Sequence, residues 1–86
     1  MAKYTVDYCN ASTGYGWSQK YDRLDEFEDF INEHRRDPLA YITVWDSELK
    51  QFIFDKGYGF KPRIDFLRNP LRDMRTTTRE ALKGGE

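Results

Sequence analysis

The chain has 86 residues, of which 34% are charged and 16% aromatic, and a formal net charge of −1. A chain of this length makes one domain that buries somewhat over ~60% of its unfolded surface, and the aromatic content excludes a disordered polymer. A single cysteine, Cys9, and a single histidine, His34, exclude an internal disulfide and a Cys/His zinc cluster; no stretch approaches the ~20 apolar residues of a membrane span.

Residues 3–9 alternate as a strand, with Tyr4, Val6 and Tyr8 on one face and Thr5 and Asp7 on the other. Residues 10–16 read as a loop rich in Ser, Thr, Asn and Gly. Trp17 to Tyr21 alternate again and can return as the second arm of a hairpin.

Asp22 is placed to cap a helix, and Asp25 and Glu26 suit its positive end. Leu24, Phe27, Phe30 and Ile31 fall on one face at helical spacing, and His34 continues that row. Arg35 and Arg36 suit the C-terminal end, and Asp37-Pro38 stops the helix.

Residues 40–55 read as a second hairpin. If Ile42 and Val44 face inward, Tyr41, Thr43 and Trp45 face outward. Placing Phe52 and Phe54 on the inner face requires the pairs 42–54 and 44–52, and therefore a loop with an odd number of residues, Ser47–Leu49, or a bulge or longer loop. Pro62 keeps residues 56–63 out of a central strand, and Ile64, Phe66 and Leu67 are expected to dock on the domain. Asn69-Pro70 opens a helix predicted over 70–82, with Gly84 and Gly85 beyond it.

Two phrases look like copies of one another. Gly14–Leu24 and Gly57–Leu67 share five of eleven residues, and three more positions keep their chemical type. The phrase suggests either two related structural units or a chance likeness of turn sequences.

Charge is segregated. Residues 1–60 carry seven Lys/Arg against eleven Asp/Glu, and residues 61–86 carry seven against four. Arg68, Arg72, Arg75, Arg79 and Lys83 are spaced as one cationic stripe on a helix, beside a narrow, mostly apolar row of Leu67, Leu71, Met74, Thr78 and Leu82. Such a helix can pack on its own domain, or meet an acidic groove or phosphates. Outward-facing Tyr41 and Trp45 are candidate protein anchors. The acidic body and the carboxylates of Asp7, Asp46 and Asp55 argue against a base-stacking sheet. The acidic side of the helix (Asp25, Glu26, Glu28, Asp29, Glu33) is either a solvated surface or a dock for a basic partner.

The expected fold is α+β: a small two-layer sandwich with an antiparallel sheet of about four strands in ββαββ order, one packed helix, and a basic C-terminal helix or tail. The compact domain spans 1–67 and the tail 68–86. The expected function is that of a non-enzymatic binding or regulatory module in the cytoplasm, with no cofactor and no metal. Its partner is another protein engaged through Arg68, Arg72, Arg75, Arg79, Tyr41 and Trp45. Nucleic-acid binding through the basic helix, a homo-dimer, and a small enzyme using Cys9 and His34 are the alternatives.

Overall fold

A computed structural model describes residues 2–68 of the chain. The predicted helix over 70–82, and with it Arg72, Arg75 and Arg79, lies outside the described residues.

The described chain is an α+β domain with a five-stranded antiparallel sheet. Its strands are β1 (Tyr4–Asn10), β2 (Gly16–Tyr21), β3 (Ala40–Asp46), β4 (Gln51–Lys56) and β5 (Ile64–Asp65), and α1 (Glu28–His34) lies between β2 and β3. Spatial order is β2-β1-β3-β4-β5. The two hairpins therefore meet through β1 and β3, paired from Tyr4↔Asp46 to Asn10↔Ala40. The fifth strand, a two-residue edge, extends the sheet beyond the expected four.

Alternation in β1 and β3 is as the residues dictate. Tyr4, Val6, Ala40, Ile42 and Val44 are buried beneath the helical layer. Phe27 and Ile31 close the core from above, with Leu24 and Phe30 packed against it, and Phe66 fills the β5 side. Edge-on ring pairs tie the layers together: Tyr4 meets Phe27 at 5.5 Å between centroids, and Phe54 meets Phe66 at 5.8 Å. Each such pair adds about 0.5–1.5 kcal/mol beyond simple burial.

The helical segment differs from a single helix begun at Asp22. A 3-10 turn over Leu24–Glu26 precedes α1, and Phe27 breaks the helix between them with φ −128° and ψ 0°. Arg23 occupies the cap position, and the Glu26 carboxylate reaches back to accept its amide at 3.1 Å. Phe27 and Ile31 thereby reach the core from a short, bent segment. Arg35, just past α1, forms an ion pair with Asp65 of β5 and fastens the helical layer to the sheet edge.

The second hairpin corrects the expected register. Val44 pairs with Phe54 and Ile42 with Lys56, but Trp45 pairs with Phe52, so Ile53 is an extra residue in a β-bulge. The bulge sends both Ile53 and Phe54 to the buried side and turns Phe52 outward. The turn over residues 47–50 then closes with four residues instead of three. Lys50 supplies its left-handed residue at φ 55°, and the Asp46 Oδ1 accepts the amides of Glu48 and Leu49 at 2.8 and 3.0 Å. Asp46 is thus a buried turn-former, not a companion of the outward aromatics.

The inward position after Phe54 belongs to Lys56, which is fully buried. Its ammonium donates to the carbonyls of Asp37 and Ala40, each at 2.6 Å, and lies 3.5 Å from that of Gly57. Burial lowers its pKa, while the charge of Asp37 acts in the opposite direction.

The two Gly-Tyr-Gly phrases lead into the opposite edge strands, β2 and β5, but are not conformational copies. Gly14 is left-handed (φ +73°) whereas its counterpart Gly57 is not; Gly59 is left-handed (φ +133°) whereas Gly16 is not. Gly16 is required for space, since a Cβ there would stand 2.9 Å from the Tyr8 carbonyl oxygen. Trp17 packs against Tyr8 and Phe30 on the helix side, while its counterpart Phe60 is exposed.

Candidate functional site

With α1 and its 3-10 turn covering one face of the sheet, the residues that alternate to the other face define an open surface. From β1 these are Thr5, Asp7 and Cys9; from β3 they are Tyr41, Trp45 and, between them, the buried Thr43; the bulge adds Phe52. Tyr58 folds over this face from the loop after β4. Its ring stands 6.0 Å from that of Tyr41, and its hydroxyl donates to the Cys9 Sγ at 3.5 Å. That hydrogen bond is the largest cause of a raised Tyr58 pKa, followed by desolvation and the proximity of Cys9 and Tyr41. Trp45 and Phe52 form a second edge-on pair at 5.0 Å.

The result is two ring pairs on a sheet face that no element among the described residues covers. Tyr41 is 36%, Phe52 43% and Tyr58 58% exposed, and Trp45 is half-buried. None of the exposed large apolar side chains lies in residues 22–37. Among the described residues, the exposed large apolar side chains therefore lie on the sheet and its loops.

Charge follows the opposite pattern. Residues 22–37 hold seven Asp/Glu and three Lys/Arg, whereas residues 1–21 and 38–60 together hold four of each. The whole acidic excess of the first sixty residues thus belongs to the helical segment. On the open face Asp55 is bound by Arg63 at 2.5 Å. Asp7, on the central strand β1 opposite Ser18 and Thr43, has no cation paired with it among the described residues.

Tyr41 and Trp45, the anchors anticipated from alternation, stand on this face as expected. Arg68 does not join them. It is exposed three residues beyond β5, where its amide donates to the Asp65 carbonyl. Its charge, after burial and before Arg36, contributes to a lowered Arg35 pKa. Phe52 was expected in the core, and Tyr58, one of the loop aromatics, was not expected as an anchor. The signal for Phe52 was the unbroken run Phe52-Ile53-Phe54, which cannot alternate without exposing an apolar ring or bulging; nothing in the sequence marks Tyr58 as a neighbour of Cys9.

Cys9 and His34 are not brought together. The thiol faces the open side, while the imidazole stacks on Phe30 at 4.4 Å and Tyr8 at 5.6 Å beneath the helix. A thiolate–imidazole pair across the sheet has no geometric basis. Among the described residues no group of three His, Cys, Asp or Glu is arranged to hold a metal ion, and no helix is long and apolar enough to cross a membrane.

The architecture defines the class: a small α+β domain whose antiparallel sheet carries an acidic helical layer on one face and an exposed aromatic surface on the other. Comparison with protein-family models, with curated proteins and with solved structures returns no match for the chain.

Proposed function

We propose that this protein is a non-enzymatic binding module that engages another protein through the open sheet face. The observation that carries the reading is the pair of ring couples, Tyr41–Tyr58 and Trp45–Phe52, exposed on a rigid sheet with no covering element among the described residues. Tyr and Trp are the favoured anchors of protein contacts because they supply large area at low entropic cost. The complementary partner presents apolar side chains to the rings and a cation to Asp7, where desolvated charge complementarity sets register.

The test uses a photo-reactive phenylalanine analogue at Tyr58 and, as a control, at Asp29 of the helical layer. The protein captured from Tyr58 is then purified and its affinity measured directly. Phe52→Ser is expected to weaken that affinity at least about tenfold, and Asp29→Ser to leave it unchanged. An affinity insensitive to Phe52→Ser overturns the reading.

One observation favours a second reading, binding of single-stranded nucleic acid. The acidic excess that argued against base stacking is held on the other layer, which leaves Asp7 as the open-face carboxylate with no cation paired to it among the described residues. Salt separates the two: phosphate binding weakens steeply with ionic strength, in proportion to the phosphates contacted.

A further inference from the structure

We infer that Lys56, buried on the helix side of the sheet, is the positioning residue that holds Tyr58 on the opposite, open face. This inference rests on the reading of that face as the binding surface, and names a residue on which its geometry depends. Three observations carry it.

The first is the lack of an apolar anchor around Tyr58. Lys56 is the last buried side chain of β4, no side chain of residues 57–65 is buried, and the next to be so is Phe66. Tyr58 is itself exposed and stands between Gly57 and Gly59, which have no side chains to pack. A segment that buries no side chain is located by the hydrogen bonds of its backbone.

The second is the turn that supplies such a bond. Ala40 donates its amide to the Asp37 carbonyl at 3.1 Å, which closes a turn over residues 37–40 beyond α1. Within this turn the Pro38 carbonyl accepts the Gly59 amide at 2.9 Å. The residue after Tyr58 is thereby tied to the 37–40 turn.

The third is what holds the turn. The carbonyls of its two ends, Asp37 and Ala40, each accept from the Lys56 ammonium at 2.6 Å, and the Gly57 carbonyl lies 3.5 Å from the same nitrogen. An ammonium has three donors, and three carbonyls match them. One buried cation therefore fixes the turn that receives Gly59 and also meets the residue before Tyr58. Both flanks of Tyr58 are located from this one group. On the open face the tyrosine has only the Tyr41 ring at 6.0 Å and the Cys9 Sγ at 3.5 Å, and sulfur is a weak acceptor.

The experiment uses the full-length protein with labelled aromatic side chains. Lys56→Met, similar in volume and without donors, is expected to shift the Tyr58 and Tyr41 ring signals. It is expected to leave Trp45 and Phe52, the other couple of the same face, unmoved, with Trp17 and Phe30 unmoved as internal controls of folding. The second readout is the rate at which iodoacetamide alkylates Cys9 in the folded protein. Tyr58→Ala gives the rate of the thiol without its tyrosine. Lys56→Met is expected to move the wild-type rate most of the way to that value, and Lys56→Met/Tyr58→Ala to match Tyr58→Ala alone. A side chain that only adds stability produces neither the selective shift nor this non-additivity. Where Lys56→Met does not fold, Lys56→Gln takes its place under the same outcomes. Tyr58 and Tyr41 signals left in place overturn the inference, as do signals of both ring couples moving together. If the Tyr58 signal does not respond while Phe52→Ser still weakens partner binding, the inference fails alone; if it responds while Phe52→Ser leaves partner binding intact, the binding-surface reading fails alone.

Discussion

Phe52 stands edge-on to Trp45 across the β3–β4 pairing, 5.0 Å between ring centroids, because Ile53 is an extra residue in the ladder. This one insertion decides which side of the protein is aromatic. Without it, strict alternation places Phe52 with Phe54 in the core.

The first prediction separates the two phenylalanines. Phe54→Ala removes a fully buried ring and is expected to cost about 3–5 kcal/mol. Phe52→Ala removes an exposed one and is expected to cost under about 1 kcal/mol. Urea denaturation of the two variants checks this; equal losses contradict the bulge.

A second prediction concerns Lys56. In the folded chain burial lowers its pKa, so in the alkaline range below the ordinary lysine value the unfolded chain holds the proton more firmly than the folded one. Stability contributed by this group therefore rises with pH through that window and levels off above the ordinary value. Lys56→Met is expected to remove this rise. It also removes the ammonium donor from the Ala40 carbonyl and from the Asp37 carbonyl, the latter keeping the Ala40 amide, a loss of about 1–3 kcal/mol at neutral pH. Denaturation curves at several pH values read both effects.

Third, the Arg35–Asp65 pair carries the joint between the helical layer and β5, with both side chains largely buried. Asp65→Asn strands a buried guanidinium and is expected to cost about 2–3 kcal/mol. Arg35→Met/Asp65→Leu is expected to recover most of it, since an apolar pair of similar volume avoids the desolvation penalty. Thermal unfolding of the single and double variants gives the comparison.

The fourth prediction distinguishes the two Gly-Tyr-Gly phrases. Gly16→Ala brings a methyl group against the Tyr8 carbonyl and is expected to cost about 1–3 kcal/mol. Gly57→Ala meets open space without a left-handed backbone and is expected to be neutral or stabilising by up to about 1 kcal/mol. Matching losses at both positions contradict the conformational difference between the phrases.

Much of this architecture was legible in the residues. The helical row Leu24, Phe27, Phe30 and Ile31 and the alternation of Tyr4, Val6, Ile42 and Val44 are local patterns with one stable solution, and the structure follows them. Tyr41 and Trp45 were placed by the same parity. What was not legible depends on non-local partners. The burial of Lys56 is permitted by the carbonyls of Asp37 and Ala40, 19 and 16 residues away in the chain. β5 forms because Asp65 finds Arg35 and because Ile64 pairs with Asp55. The helix start moved from Asp22 because Glu26 satisfies the Arg23 amide. The acidic excess was visible as a sum, but its confinement to the helical layer required the fold.

The central claim is that the uncovered aromatic surface is where this protein meets its partner. Titration of the captured, purified partner into protein carrying 13C-labelled aromatic rings tests it most directly. The account predicts changes at Tyr41, Trp45, Phe52 and Tyr58, with Phe27, Phe30 and Phe66 unmoved. Changes confined to residues 22–37, with the four open-face rings unmoved, would contradict it.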